Sequence, residues 1–140
     1  MKKKQQFLVA AFASLSMFAL PAAAYASTSP LIQWDQVTSY LPVNDSYYFY
    51  YDDAPYMDVT QWVDNGQASP PPADMVYDVY SSSNGNNYSS EVYGTYTSSD
   101  GFAQWYISTA GYYNLTIYNA SYWYNSQYGQ PTDGNGYVHY

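Results

Sequence analysis

FAQWYISTAGYYNLTIY, residues 102–118, is the stretch on which the reading of the fold turns. Tyr113, Leu115 and Ile117 alternate with Asn114, Thr116 and Tyr118. A period of two points successive side chains to opposite faces of a strand, so one face is apolar and the other polar. In the preceding run Ala103, Trp105 and Ile107 share one face, and Phe102, Gln104 and Tyr106 the other. Ser108-Thr109-Ala110-Gly111 lies between them. The pattern predicts two strands, Phe102–Ile107 and Tyr112–Tyr118, meeting as a hairpin. A lone hairpin is marginal in water and needs further strands to bury its apolar side.

The flanking chain supplies them. Ser46–Tyr51 is a dense run of β-formers between Asn44-Asp45 and Asp52-Asp53. In Tyr56–Val63, Met57, Val59 and Val63 face one way, and Tyr56, Asp58, Thr60 and Trp62 the other. Pro70-Pro71-Pro72 cannot sit inside a sheet and reads as an extended connection. Met75–Tyr80 turns Met75, Tyr77 and Val79 inward, and Asn84-Gly85-Asn86-Asn87 is a turn signal. Glu91–Thr97 is a further strand with a bulge at Gly94, and Asp100-Gly101 a turn into the central pair. After Tyr118, Tyr122 and Tyr124 lie on one side of an extended run and Trp123 on the other. Asp133-Gly134-Asn135-Gly136 reads as a flexible turn before a short closing strand, Tyr137–Tyr140. Seven to eight strands at short intervals predict an all-β fold, an antiparallel two-sheet β-sandwich of jelly-roll or Ig-like type. It occupies residues 45–140, after a leader segment over 27–44 held by Trp34 and Leu41.

Residues 1–26 have a different character. Lys2-Lys3-Lys4 precedes an apolar run from Phe7 to Leu20, and Ala24-Tyr25-Ala26 fits a small-x-small cleavage site. This layout predicts a secretory signal helix cut after Ala26, and so a secreted, bacterial protein. A membrane-spanning helix needs about 20 apolar residues, and no later segment offers them, so no stable insertion follows cleavage. Residues 27–140 are also too few for an eight-stranded outer-membrane barrel with its turns.

Charge narrows the partners. All three basic residues lie in Lys2–Lys4, so eleven carboxylates beyond them face no Lys or Arg. Nucleic acid and anionic membranes, which are held by cationic side chains, are excluded. Compensating charge must come from outside, as Ca²⁺, a cationic partner or protons, unless the carboxylates are simply dispersed and solvated. There is no Cys, so stability rests on packing.

An ordered set of short motifs gives a resemblance. Asp45-Ser46-Tyr47-Tyr48-Phe49, the run from Asp74 to Gly85, Ala110–Ile117 and Gly136-Tyr137-Val138 follow one another in this chain. That order resembles the bacterial pre-peptidase C-terminal (PPC-like) domains, over about Asp45 to Tyr140. The resemblance implies a jelly-roll-like sandwich with a non-catalytic accessory or binding role, in a group where some members bind calcium or extracellular polymers. This chain departs from it in lacking a peptidase, lacking basic residues and carrying far more Tyr.

Catalysis has little to work with. Without Cys or Lys beyond residue 4, and with His139 alone near the end, neither a nucleophile–base pair nor a zinc ligand set is expected. A small glycan hydrolase would need a carboxylate pair, such as Asp52 with Asp53 or Asp58, in a deep cleft. Calcium takes oxygen ligands, and Asp45, Asp52 and Asp53 flank one short strand, although Asp is also an ordinary turn residue.

The aromatics are the strongest functional feature. The chain holds 21 Tyr, of which only Tyr25 precedes residue 27, and Trp34, Trp62, Trp105 and Trp123 join them. Tyr56, Trp62, Tyr80, Tyr106 and Tyr118 fall on faces assigned outward, among Thr60, Gln104, Asn114 and Thr116. Flat amphipathic rings beside hydroxyls and amides suit stacking on sugars or on another protein. The expectation is therefore a secreted binding module with an extracellular glycan or protein ligand. A structural, self-associating matrix protein is the alternative, because its strands lack the edge Lys that discourages pairing.

Overall fold

The computed structural model describes residues 27–140, and the expected signal helix over 1–26 lies outside them. Among the described residues eight strands build two four-stranded antiparallel sheets, a two-layer β-sandwich. They are β1 (Ile32–Val37), β2 (Tyr40–Phe49), β3 (Tyr56–Val63), β4 (Asp74–Tyr80), β5 (Asn87–Tyr93), β6 (Tyr96–Gln104), β7 (Gly111–Asn119) and β8 (Thr132–His139). One short helix, α1 (Ala120–Asn125), follows β7. Sheet 1 has the order β1-β8-β3-β6 and sheet 2 the order β2-β7-β4-β5.

Only β4 and β5 are consecutive strands that pair; every other connection crosses between the sheets. The central hairpin expected from residues 102–118 is therefore not formed. β6 pairs with β3 in sheet 1, and β7 lies between β2 and β4 in sheet 2. Trp105 and Ile107 leave β6 and drop into the gap between the layers, both buried, which is what carries the chain across. Asp100-Gly101 lies inside β6 and not at a turn. Gly94 sits in the crossing from β5 to β6 with φ +136° and donates its N–H to Ala73 O at 2.8 Å.

Two further expectations are corrected by packing. The leader segment 27–44 supplies β1 and the start of β2, because Ile32 and Trp34, and Val37 beyond a bulge at Gln36, turn into the core. Asp133–Gly136 is not a flexible turn but the middle of β8, paired with β1 on one side and β3 on the other. A Cβ at Gly134 would meet the Trp34 ring and the Thr60 carbonyl, and one at Gly136 the Asp58 carbonyl. Glycine is needed there for close approach, not for bending.

The inward residues are those the alternation indicates. Met57, Val59 and Val63 from sheet 1 face Met75, Tyr77, Val79, Tyr113, Leu115 and Ile117 from sheet 2. Phe49 stacks on Tyr113 at 5.4 Å and on Trp105 at 6.2 Å. One polar side chain that enters this core, Gln61, is tied down on all sides, whereas Trp34 Nε1 and the Tyr47 hydroxyl are buried without a partner. Gln61 is fully buried; its amide donates to Val92 O at 2.8 Å and Gly94 O at 3.1 Å. Its Oε1 accepts from the Tyr77 hydroxyl at 2.7 Å, and Trp105 Nε1 donates to Tyr77 O at 3.0 Å. Burial pushes the Tyr77 hydroxyl well above its usual pKa and that of Tyr47 up to about 12. Both phenols therefore keep their protons at any physiological pH, and Tyr77 uses its own to donate to Gln61.

Candidate functional site: a tyrosine face on sheet 2

Strand alternation and register fix the outer face of sheet 2. Tyr48 lies opposite Tyr112, Ser46 opposite Asn114, Pro42 opposite Thr116, and Tyr40 opposite Tyr118. On the other side of β7, Asn114 faces Tyr80, Thr116 faces Asp78 and Tyr118 faces Val76. The helix end of the face is covered: Val76 is 1% exposed although it points away from the core. The opposite end is open, with Tyr112 63%, Tyr50 65% and Tyr80 47% exposed.

At that open end the rings form a cluster. Tyr48 meets Tyr112 at 5.0 Å and Tyr50 at 5.0 Å, both edge-to-face. Such geometry places the positive edge of one ring on the negative face of the next and fixes both. The neighbouring row is polar. Asn114 Nδ2 donates to Ser46 Oγ at 2.8 Å and to Asp45 O at 3.3 Å. The result is a braced aromatic platform, its rings set edge to face, beside hydroxyl and amide groups, on a chain without a Lys or Arg side chain beyond residue 4.

The helix end is a second aromatic cluster, closed upon itself. Asn119 caps α1 by accepting the Ser121 N–H at 3.2 Å, and Ser126 ends it in the left-handed region at φ 54°. This turns Tyr122 and Trp123 back over the sheet. Tyr118 meets Trp123 at 4.7 Å, and Tyr40 meets Tyr118 at 5.7 Å and Tyr122 at 5.6 Å. The extended run expected after Tyr118 is thus helical. Tyr124 donates its hydroxyl to Glu91 Oε2 at 2.7 Å, tying α1 to β5.

A carboxyl group lies under this tie. Asp74 Oδ1 is buried without a hydrogen-bond partner. Burial, then the adjacent Glu91 carboxyl, pushes the Asp74 pKa up to about 6. Burial also raises Asp78, and on sheet 1 the hydrogen-bonded Asp133 carboxyl raises Asp35. A carboxyl with a raised folded pKa binds its proton more tightly in the folded chain. Stability is therefore gained as pH falls from above 6 toward the ordinary value of 3.8. The melting temperature is expected to rise between pH 7 and pH 5. Asp74→Asn should raise stability at pH 7 by about 1 kcal/mol, after allowing for solvent screening, and flatten that slope. Thermal melts of both proteins across this range check it; a wild-type melting temperature that falls toward pH 5 contradicts it.

The five aromatic residues expected to bind are not brought together. Tyr80 and Tyr118 belong to the sheet 2 face, Tyr118 within the helix-covered cluster. Tyr56 and Trp62 stand on the outer face of sheet 1, the far side of the sandwich. Tyr106 lies beyond β6 beside a cleft of about 180 Å³ with Tyr51, Asp52 and Asp53. Tyr48, Tyr50 and Tyr112, which the sequence reading did not select, form the exposed core of the platform. The alternation of Tyr47 and Phe49 inward was the signal that turns Tyr48 and Tyr50 outward.

Of the acidic candidates, Asp52 and Asp53 share the cleft beside Tyr106, and Asp45 is not part of its lining. Among the described residues no three His, Cys, Asp or Glu side chains form a group that could hold a metal ion. Asp52 occupies a turn at φ 62° and donates its N–H to Ile107 O at 2.8 Å, the role of a turn residue.

On sheet 1, Trp62 borders a depression of about 380 Å³ with Gln33, Asp35, Asp133 and Asn135. At the other end of that face His139 is not a frayed terminal residue. Its Nε2 lies 2.9 Å from Asp58 Oδ2 and its Nδ1 3.3 Å from Thr28 Oγ1, while the ring stacks on Tyr56 at 4.5 Å. Asp58 Oδ1 accepts the Tyr137 N–H at 2.9 Å. With both nitrogens engaged, the imidazole fastens the first described residues to β3. Comparisons with protein-family models, curated proteins and solved structures find no match.

Proposed function

We propose that this chain is an exported bacterial binding module without catalysis, which takes up a neutral extracellular glycan on the open end of the sheet 2 face. One observation supports the reading above the rest: Tyr48, Tyr50 and Tyr112 are mutually braced, exposed rings beside the Ser46–Asn114 row. Rings held in place lose little freedom on stacking against a sugar, and the polar row can pair with its hydroxyls. Eleven carboxylates with no Lys or Arg beyond residue 4 disfavour acidic polymers, so neutral glycans are the class that fits. The resemblance to PPC-like accessory domains points the same way.

Native gels cast with soluble neutral polysaccharides, or with alginate as an acidic one, test this directly. Retardation is expected in neutral gels, with or without chelator, and none in alginate. Tyr112→Ala should weaken binding roughly tenfold, about 1.4 kcal/mol, while the protein stays folded and loses only about 0.5–1.5 kcal/mol from the ring pair with Tyr48. Migration unaffected by every polysaccharide would remove the glycan. The self-association reading rests on the β5 edge, where NYSSEVY carries only Glu91 as a charge. It is favoured instead if protein mass in solution grows with concentration as pH falls.

A further inference from the structure

We infer that the Tyr48–Tyr112 pair is a site of oxidative phenol coupling, at which a peroxidase using hydrogen peroxide joins β2 covalently to β7. The two residues are direct partners across the antiparallel ladder, and their rings lie 5.0 Å apart. Both are open to a reagent, at 37% and 63% exposure.

Sulfur and two of the four indoles are withdrawn; Trp62 and Trp123 are only half-buried, but neither lies against Tyr48 or Tyr112. There is no Cys, and the methionines beyond residue 26, Met57 and Met75, are fully buried. Trp34 and Trp105 are buried as well. An oxidant approaching the sandwich therefore meets phenols before sulfur. Among these, Tyr113 is fully buried, so its contact with Tyr88 at 5.8 Å is not a coupling pair. The contacts of Tyr40 with Tyr118 and Tyr122, at 5.7 and 5.6 Å, are longer, and Tyr118 and Tyr122 are only half-buried partners beside Trp123. Tyr50 is as close to Tyr48 as Tyr112 is, but it lies two residues along the chain, just past the end of β2. Cα atoms two residues apart in a strand are roughly 6.5 Å apart, against about 4.5–5.5 Å for cross-strand partners. A bond directly joining the two rings favours the shorter span.

The step balances without any group the chain lacks. Each phenol gives up one electron and one proton, and the two ring-centred radicals form a carbon–carbon bond between their ortho positions. Each ortho carbon then passes its hydrogen to the phenoxyl oxygen, restoring both phenols. The two electrons and two protons reduce one hydrogen peroxide to two waters. The link closes a long loop and holds an edge strand in a chain that has no disulfide, so the melting temperature should rise by several degrees.

The test treats dilute protein lacking residues 1–26 with horseradish peroxidase and a limited amount of hydrogen peroxide. Digestion then uses a protease that cuts before Asp. Segments Asp45–Tyr51 and Asp100–Thr132 are expected as one species, two hydrogens lighter than their sum, with fragmentation placing the bond at Tyr48 and Tyr112. Tyr112→Phe keeps the ring and should abolish this species, whereas Tyr128→Phe, a distant exposed phenol, should leave it intact. The inference is overturned if the linked species persists in Tyr112→Phe, if Tyr48 couples to Tyr50 instead, or if monomer yields no internal link while dimers form.

Discussion

Gln61→Leu is expected to destabilise this protein by roughly 3–5 kcal/mol, because it strands three polar groups in the core at once. Among the described residues the Gln61 side chain is the only group hydrogen-bonded to the Tyr77 hydroxyl, and it bridges the end of β5 to the turn at Gly94. Leucine fills the volume but pairs with none of them. Each buried group left unpaired costs about 1–3 kcal/mol, while a domain of this size has about 5–15 kcal/mol in total. Tyr77→Phe serves as the comparison. It removes one hydroxyl, leaves both Gln61 amide bonds in place, and should cost about 1–2 kcal/mol. Urea titrations of the two variants measure the difference. A Gln61→Leu midpoint close to that of wild type would show that the two sheets meet there without help from the amide.

The second large effect is expected from a single methyl group. Gly134→Ala places a Cβ against the Trp34 ring and against the Thr60 carbonyl of the paired strand β3. The ring sits in the core, edge-on to Tyr77 at 6.0 Å, and the carbonyl belongs to a central strand. Neither can retreat without opening sheet 1. Overpacking ordinarily costs about 1–3 kcal/mol, and a backbone obstacle puts this site at the upper end or beyond. Trp34→Phe in the same chain should recover part of the loss. It shrinks the obstructing ring, and it forfeits no hydrogen bond, since Trp34 Nε1 is buried without a partner. A double-mutant cycle by urea denaturation isolates this coupling; additive losses would place the obstruction in the Thr60 backbone alone.

Both predictions concern features that the alternation of residues does not reveal. A period of two identifies which side chains of a strand go inward, and it does so for Met57, Val59, Val63, Met75, Tyr77 and Val79. It carries no information on which sheet a strand joins. The segment 102–118 has two alternating runs around Ser108–Gly111, which is also what a hairpin looks like. The crossing is decided by Trp105 and Ile107, whose bulk is needed between the layers. Asp133-Gly134-Asn135-Gly136 has the composition of a turn because a turn and a strand squeezed against a tryptophan both call for glycine. The helix at Ala120–Asn125 did leave a mark, Asn119 as an N-cap, but Tyr and Trp within it are weak helix formers.

The same limit explains the candidate site. An excess of outward tyrosine is visible in the composition, whereas its division between two faces depends on strand order. Tyr56 and Trp62 are outward as read, yet β3 lies in the other layer from β4 and β7, so they are turned away from Tyr80 and Tyr118. Tyr48 and Tyr112 become neighbours through pairing between strands more than sixty residues apart in the chain. The acidic excess was legible too, but its consequence differs from a metal site. Asp74, beside Glu91, and Asp35, beside Asp133, hold their protons more readily than isolated carboxyls do.

Ser27 and Tyr140 exchange backbone hydrogen bonds in both directions, each 2.9 Å long. Any tension applied between these two residues therefore meets the ladder at its open end, peeling the opening residues from β8 one rung at a time instead of shearing many rungs together. The sandwich is mechanically soft along that line, and the Thr28–His139–Asp58 fastening is the first side-chain contact to feel the load.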